Sequence, residues 1–202
     1  MMQRVDFPQA SSPLAHLTSA LTAGTANRPA FSDLSSCTRV GFRGRHAAWY
    51  LQQQGFSLPE RPNQACWQND GSLVARLSMT EYLLLAEPPH AQERLRKLEQ
   101  QWQLSELACY LLPRQDTHAW LTLRGEAWAE AMAKLCAVDL SAAAFPAGSI
   151  AQTSVARASA IVINAATQDK AQFWLLVDYS MAAYYWTVLQ DAIDEFGGAA
   201  VA

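Results

Sequence analysis

The residues able to do chemistry are few and scattered. Four histidines (His16, His46, His90, His118) and four cysteines (Cys37, Cys66, Cys109, Cys136) share no spacing that would gather a metal. No two cysteines form a redox pair, so free, mostly buried thiols in a reducing cytoplasm are expected. There is no glycine-rich dinucleotide turn, no phosphate loop and no serine in a nucleophile elbow. Gly41-Phe42-Arg43-Gly44 imitates the Gly-x-x-Gly clamp of some RNA-binding domains. That clamp joins two helices, whereas this stretch reads as the end of a strand. Two pairs remain. Asp33 and Asp116 stand just upstream of similar strands, as general bases or as acceptors of backbone donors in turns. Arg43 and Arg124 sit at equivalent strand ends, placed to hold an anion or a partner's carboxylate, or to fix their own turns.

The elements that position these pairs occur twice. Thr38 to Leu51 contains alternating Val40 and Phe42, then Arg43-Gly44, then helical spacing at Ala48 and Leu51. Ala119 to Met132 repeats the pattern with Leu121 and Leu123, Arg124-Gly125, and Trp128, Ala131 and Met132. The two Arg-Gly pairs lie 81 residues apart. Val74-Ala75-Arg76 returns at the same offset as Val155-Ala156-Arg157. An apolar strand from Tyr82 to Ala86 is matched by Phe173 to Val177. Each half closes with an amphipathic helix, His90 to Gln103 in one and a helix capped by Asp178 or Ser180 in the other. The fold class expected is therefore α+β, with duplicated strand-helix-strand-strand-helix halves. Asn69-Asp70-Gly71 predicts a hairpin pairing Cys66-Trp67 with Leu73 to Leu77. Ile150 to Ala156 and Ser159 to Asn164 make a second strand pair. Leu107 to Leu112 is an apolar strand that ends at Pro113 and joins the halves. The divisions are an extended arm over 1–30 with a short helix from Leu14 to Leu21, a first half over 31–112 and a second over 113–202, the halves forming one intertwined domain.

Composition narrows the classes. Net charge is −3 with no basic tract, which argues against nucleic-acid binding. No apolar run approaches a membrane span and no secretory leader is visible, so no membrane partner is expected. Charged residues make up 16% of the chain, against roughly 25% in an average soluble domain. With seven tryptophans, this suits a subunit with a large buried contact, or a compact monomer with an aromatic core.

The opening Asp33-Leu34-Ser35, a short strand reaching Arg43-Gly44 and a following helix resemble the glycine-cleavage aminomethyltransferases. More closely, about residues 11 to 197 resemble the gamma subunit of heterotetrameric sarcosine oxidase. The matching motifs are Gly41-Phe42-Arg43-Gly44, Leu58-Pro59 with Pro62-Asn63, and Glu81-Tyr82-Leu83-Leu84. They continue with Asp116 to Gly125, Cys136-Ala137-Val138-Asp139-Leu140, Phe145-Pro146-Ala147-Gly148, Gln152-Thr153 and the helix from Tyr179 to Phe196.

The resemblance implies the folate-binding-domain architecture of the aminomethyltransferases, with mainly antiparallel sheets and strands exchanged between the halves. It implies a complex that demethylates sarcosine oxidatively to glycine. FAD and FMN would belong to a beta subunit, NAD and tetrahydrofolate to an alpha subunit and zinc to a delta subunit. The gamma subunit would be structural, with no catalytic, cofactor or metal residues. The aminomethyltransferases shape their folate pocket with a downstream Asn, a Gly-Gly turn and paired acids. Here the corresponding loop offers only Asn63 and Asn69-Asp70-Gly71. The Lys-Gly-Cys motif of iron–sulfur-linked folate proteins is absent, and the sequence stops at Ala202, short of an extra C-terminal barrel. The alternatives are a stand-alone tetrahydrofolate-binding or one-carbon transferase module, and a scaffold for another oxidoreductase.

Overall fold

The computed structural model describes residues 11–19, 21, 28–88 and 91–202. Most of the expected arm (1–10, 20 and 22–27) and His90 lie outside them. Of the arm's expected helix, one turn is present, α1 (Ala15–Thr18). The first half then runs β1 (Ala30–Asp33), β2 (Arg39–Arg43), α2 (Ala47–Gln53), β3 (Gln64–Trp67), β4 (Leu73–Arg76), β5 (Glu81–Leu85) and α3 (Gln92–Gln101). The second runs β6 (Tyr110–Pro113), β7 (His118–Arg124), α4 (Trp128–Met132), β8 (Ile150–Val155), β9 (Ala158–Asn164), β10 (Gln172–Asp178) and α5 (Ala182–Asp194). A last short strand, β11 (Ala199–Ala200), follows.

Local chemistry explains most boundaries. In the first hairpin the Asp70 carboxylate accepts the Ser72 N–H at 2.9 Å and the Gln68 N–H donates to the Ser72 carbonyl at 2.8 Å. That turn sets the register Trp67↔Leu73 and Cys66↔Val74. Asp178 accepts the Ser180 N–H at 2.9 Å and caps the 3-10 turn Tyr179–Met181 that leads into α5.

The strands form two sheets, ordered β11-β1-β7-β10-β9-β8 and β6-β2-β5-β4-β3. The orders correspond strand for strand: β1 with β6, β7 with β2, β10 with β5, β9 with β4 and β8 with β3. Pairing is antiparallel everywhere except between β1 and β11. The leading strand of each half is exchanged. β1 pairs with β7, Ser32↔Thr122, and β6 pairs with β2, Phe42↔Leu111. The fold is thus the duplicated α+β architecture expected, with the halves interlocked through their first strands.

Strand alternation then builds four layers. Phe31, Leu121, Leu123, Phe173, Leu175 and Val177 pack under α4 and α5. Val40, Phe42, Val74, Tyr82 and Leu84 pack under α2 and α3. The opposite faces meet each other, with Leu73, Leu83 and Leu85 of one sheet against Trp120, Ile163, Trp174 and Leu176 of the other. Trp174 sits edge-on to Trp67 at 5.2 Å and to Trp120 at 4.8 Å, so aromatic rings occupy much of this middle layer.

Three sequence expectations shift. Asp33, expected only upstream of a repeated strand, ends a strand of its own, β1, because the partner that satisfies its backbone comes from the other half. The joining strand starts at Tyr110, three residues later than expected, and as the counterpart of β1 it opens the second half rather than closing the first. The Val-Ala-Arg echo is not structural: Val74-Ala75-Arg76 lies in β4, whereas Ala156 and Arg157 form the β8–β9 turn with φ of 48° and 70°. The second hairpin has strands of 6 and 7 residues against 4 and 4 in the first, so a fixed offset slips out of register.

Candidate functional site

The best-built polar constellation centres on Arg39. Its strand position puts the side chain on the middle-layer face, where it is fully buried. The guanidinium donates to the carbonyls of Ser35 (2.8 Å), Cys37 (2.9 Å), Arg114 (3.1 Å), Gln115 (2.8 Å) and His118 (2.5 Å). It therefore staples the turn before β2 to the turn before β7, the two points where the leading strands cross over. Ser35 adds a bond from the Trp120 N–H to its hydroxyl at 3.0 Å. Burial pulls the Arg39 pKa down to about 10, opposed by the nearby Cys37 thiol and by Asp33 and Asp116.

Both predicted aspartates thus stand around this arginine. Asp33 is half-buried, accepts the Ser35 N–H at 2.8 Å and is bonded by the Ser12 hydroxyl. Asp116 is exposed in the turn before β7, where its charge also helps raise the Glu99 carboxyl above its usual range, after burial.

The predicted arginines lie in different sheets and are not brought together. Arg43 is exposed, with only a loose 3.8 Å contact to Glu81. Glu81 instead takes Arg114 at 2.5 Å, and Gly41 makes room for that side chain, since a Cβ there would stand 2.8 Å from its Nε. Arg124 binds Glu87 at 2.6 Å, and Lys170 approaches the same carboxylate at 3.3 Å. Glu87 reaches it from the other half, so the two arginines keep equivalent places without equivalent partners. Sequence reasoning misses Arg39 and Arg114. A charge at a strand edge reads as solvated until two sheets are known to stack over it.

Two open grooves lie on the surface. One, of about 460 Å³, is lined by Thr117, His118, Gln152, Thr153, Ser159 and Asp178 among others. The Thr117 hydroxyl lies 2.8 Å from His118 Nδ1. Burial, then Arg114 and Arg39, drive the imidazole down to about 4, against the pull of Asp178. The ring is neutral at physiological pH, and among the described residues no carboxylate is bonded to it, so the pair there lacks the orienting acid of a nucleophile relay. The other groove, of about 400 Å³, runs between α2 and α3 beside Phe56, Arg94 and Lys97. Arg94 stacks on Phe56 at 3.7 Å and is bonded to Asp70 at 2.5 Å and to the Gln54 and Gly55 carbonyls, which leaves it little capacity for an anion.

A folate pocket is a poor fit to these residues. Asp70 and Asn63, the candidates from the corresponding loop, are both engaged. Asp70 is held by Arg94 and Ser72, and the Asn63 carboxamide oxygen accepts from Gln152 at 2.8 Å. Buried polar atoms without a partner among the described residues do exist, including Trp120 Nε1, Thr122 Oγ1, Gln172 Oε1 and Trp174 Nε1. They belong to the layer between the sheets, and none lines either groove. Among the described residues, no three His, Cys, Asp or Glu gather to hold a metal, and no helix is long and apolar enough to cross a membrane. Cys37 and Cys109 are pushed up to about 11 by burial.

The fold defined by these sheets is the folate-binding-domain architecture of the aminomethyltransferases. Aminomethyltransferase T of the glycine cleavage system from Bartonella henselae superposes with a TM-score of 0.63 at 15% identity, over 87% of this chain and 48% of that one. Heterotetrameric sarcosine oxidase from Corynebacterium sp. U-96, solved with pyrrole 2-carboxylate, has a chain that superposes at 0.73 with 23% identity, over 95% of this chain and 98% of that one. No curated protein sequence matches. Residues 52–195, well over half the chain, match the family described as "Sarcosine oxidase, gamma subunit family". The chain belongs to that family.

Proposed function

We propose that this chain is a structural gamma subunit of a sarcosine oxidase-type complex in the cytoplasm, without an active site of its own. Membership of the gamma subunit family carries the reading. The engagement of Asp70, Arg94, Arg114 and Arg124 in internal ion pairs supports it, since these four groups are already committed within the chain. FAD, FMN, NAD, tetrahydrofolate and zinc would then belong to the alpha, beta and delta partners, and the complex would convert sarcosine to glycine. What this chain contributes is a rigid interlocked body for those partners to pack against. In the test, the chain is expressed alone and together with its partners. The lone protein should be colourless and should form no hydrogen peroxide from sarcosine, while the co-expressed protein should purify with bound flavin. Peroxide formation by the lone protein would overturn the proposal.

The likeness to an aminomethyltransferase favours one second reading, a tetrahydrofolate-binding module. Titration calorimetry separates the two. Heat of binding with tetrahydrofolate at micromolar concentration would support the module, and none at millimolar ligand would remove it.

A further inference from the structure

The two sheets match strand for strand except at one edge. In the six-stranded sheet the leading strand β1 is covered by β11, with Ala30↔Ala199 and Phe31↔Ala200 paired in parallel. In the five-stranded sheet the equivalent strand β6 is the edge, and among the described residues no strand pairs with its outer side. An apolar strand with a free edge is a template for another chain. The other outer strand of this sheet, β3, is tied down instead, by Ala65 N–H to the Gly148 carbonyl at 2.7 Å and by Ile150 N–H to the Asn63 carbonyl at 3.0 Å.

The surroundings of β6 suit docking. Tyr110 at the start of β6 is 51% exposed, and Leu104 in the segment leading to it is 70% exposed. The backbone that presents Tyr110 is nevertheless fixed. The Ala108 N–H donates to His46 Nδ1 at 3.0 Å, the His46 N–H donates to the Ala108 carbonyl at 3.0 Å, and Gly44 lets the Ala108 carbonyl come within 2.0 Å of where a Cβ would stand. The second half has Ala127 at the place of His46, so this clamp is not a general feature of the repeat. A preorganised edge loses little entropy on binding. Arg43, directly across from Tyr110, has a 66% exposed side chain with one loose carboxylate contact, and Arg45 is exposed nearby.

We propose that β6 is a docking edge, and that its occupant is an extended apolar segment bearing an acidic residue, supplied by a partner subunit. This segment would lie beside β6 as β11 lies beside β1, with main-chain bonds for affinity and its carboxylate against Arg43 and Arg45. The inference rests on the subunit reading and deepens it by naming the contact.

Hydrogen exchange followed by mass spectrometry, on the lone chain and on the assembled complex, tests it. Peptides covering 107–113 should exchange at least about tenfold more slowly in the complex. Tyr110→Lys combined with Arg43→Glu should cut the share of this chain recovered with its partners at least about tenfold, with the lone chain's melting temperature unchanged. Tyr184→Lys, on α5, should assemble like the wild type. Equal exchange at 107–113 in both states would overturn the docking edge while leaving the subunit reading intact. So would protection already present in the lone chain and lost on deleting residues 1–10, since the chain's own N-terminus would then be the occupant. Failure of the wild-type chain to enter any complex would remove both.

Discussion

Arg39 shows how single residues hold this protein together. Its fork meets five carbonyls at angles an ammonium cannot reproduce, so Arg39→Lys should cost about 2–4 kcal/mol despite keeping the charge. Urea denaturation measures that loss, and a change within about 0.5 kcal/mol would mean the staple is dispensable. His118 makes stability depend on pH. Its ordinary value of 6.5 falls to about 4 in the folded chain. Between those values the unfolded chain binds a proton that the folded chain refuses. The contribution of His118 is therefore full above about pH 6.5 and is lost as pH falls toward 4, by roughly 3 kcal/mol at most. His118→Gln should flatten the drop in urea midpoint between pH 7 and 5, and a drop equal to the wild type's would exclude this residue as its source. Thiol chemistry follows the same logic. Cys37, Cys109 and Cys136 are buried and Cys66 is half-buried, so iodoacetamide should label Cys66 first in the native protein and the others only on unfolding.

At the scale of elements, the corner between β2 and α2 is the tightest. A side chain on Gly44 would meet the Ala108 carbonyl at 2.0 Å, and φ there is +143°. Gly44→Ala should cost on the order of 3 kcal/mol in thermal or urea unfolding. Gly197→Ala, with φ of +67° and nothing within 4 Å, should cost about 1 kcal/mol. Elements whose periodicity is internal are legible in the sequence alone: β2, β5, β7, β10, α5 and the hairpin set by Asn69-Asp70-Gly71. The exchange of β1 and β6 is not legible in the residues themselves, because both strands are short and their pairing partners lie in the opposite half. It enters only through the family resemblance. The Val-Ala-Arg echo misleads for a related reason, since a three-residue match carries no information about register. At the candidate site, Asp33 and Asp116 stand out in the sequence but the arginine between them does not. Arg39 alternates with Gly41 on one face of β2, and only the second sheet shows that this face is inside.

The whole molecule is two interlocked halves in four layers, closed by an aromatic middle. Trp174, fully buried between Trp67 and Trp120, belongs to both halves' packing. Trp174→Ala should cost about 3–5 kcal/mol and unfold both halves in a single transition, because neither sheet is complete without the other half's leading strand. Two separate transitions would show the halves to be independent. Such a body, with few charges for its size and, among the described residues, an edge strand left uncovered, is suited to being held by neighbours. Native mass spectrometry of the assembly purified through a tag on this chain tests that most directly. The account predicts one copy of this chain bound to three different polypeptides, with flavin mass carried by a partner. A tagged chain that flies only as a monomer or as copies of itself would contradict it.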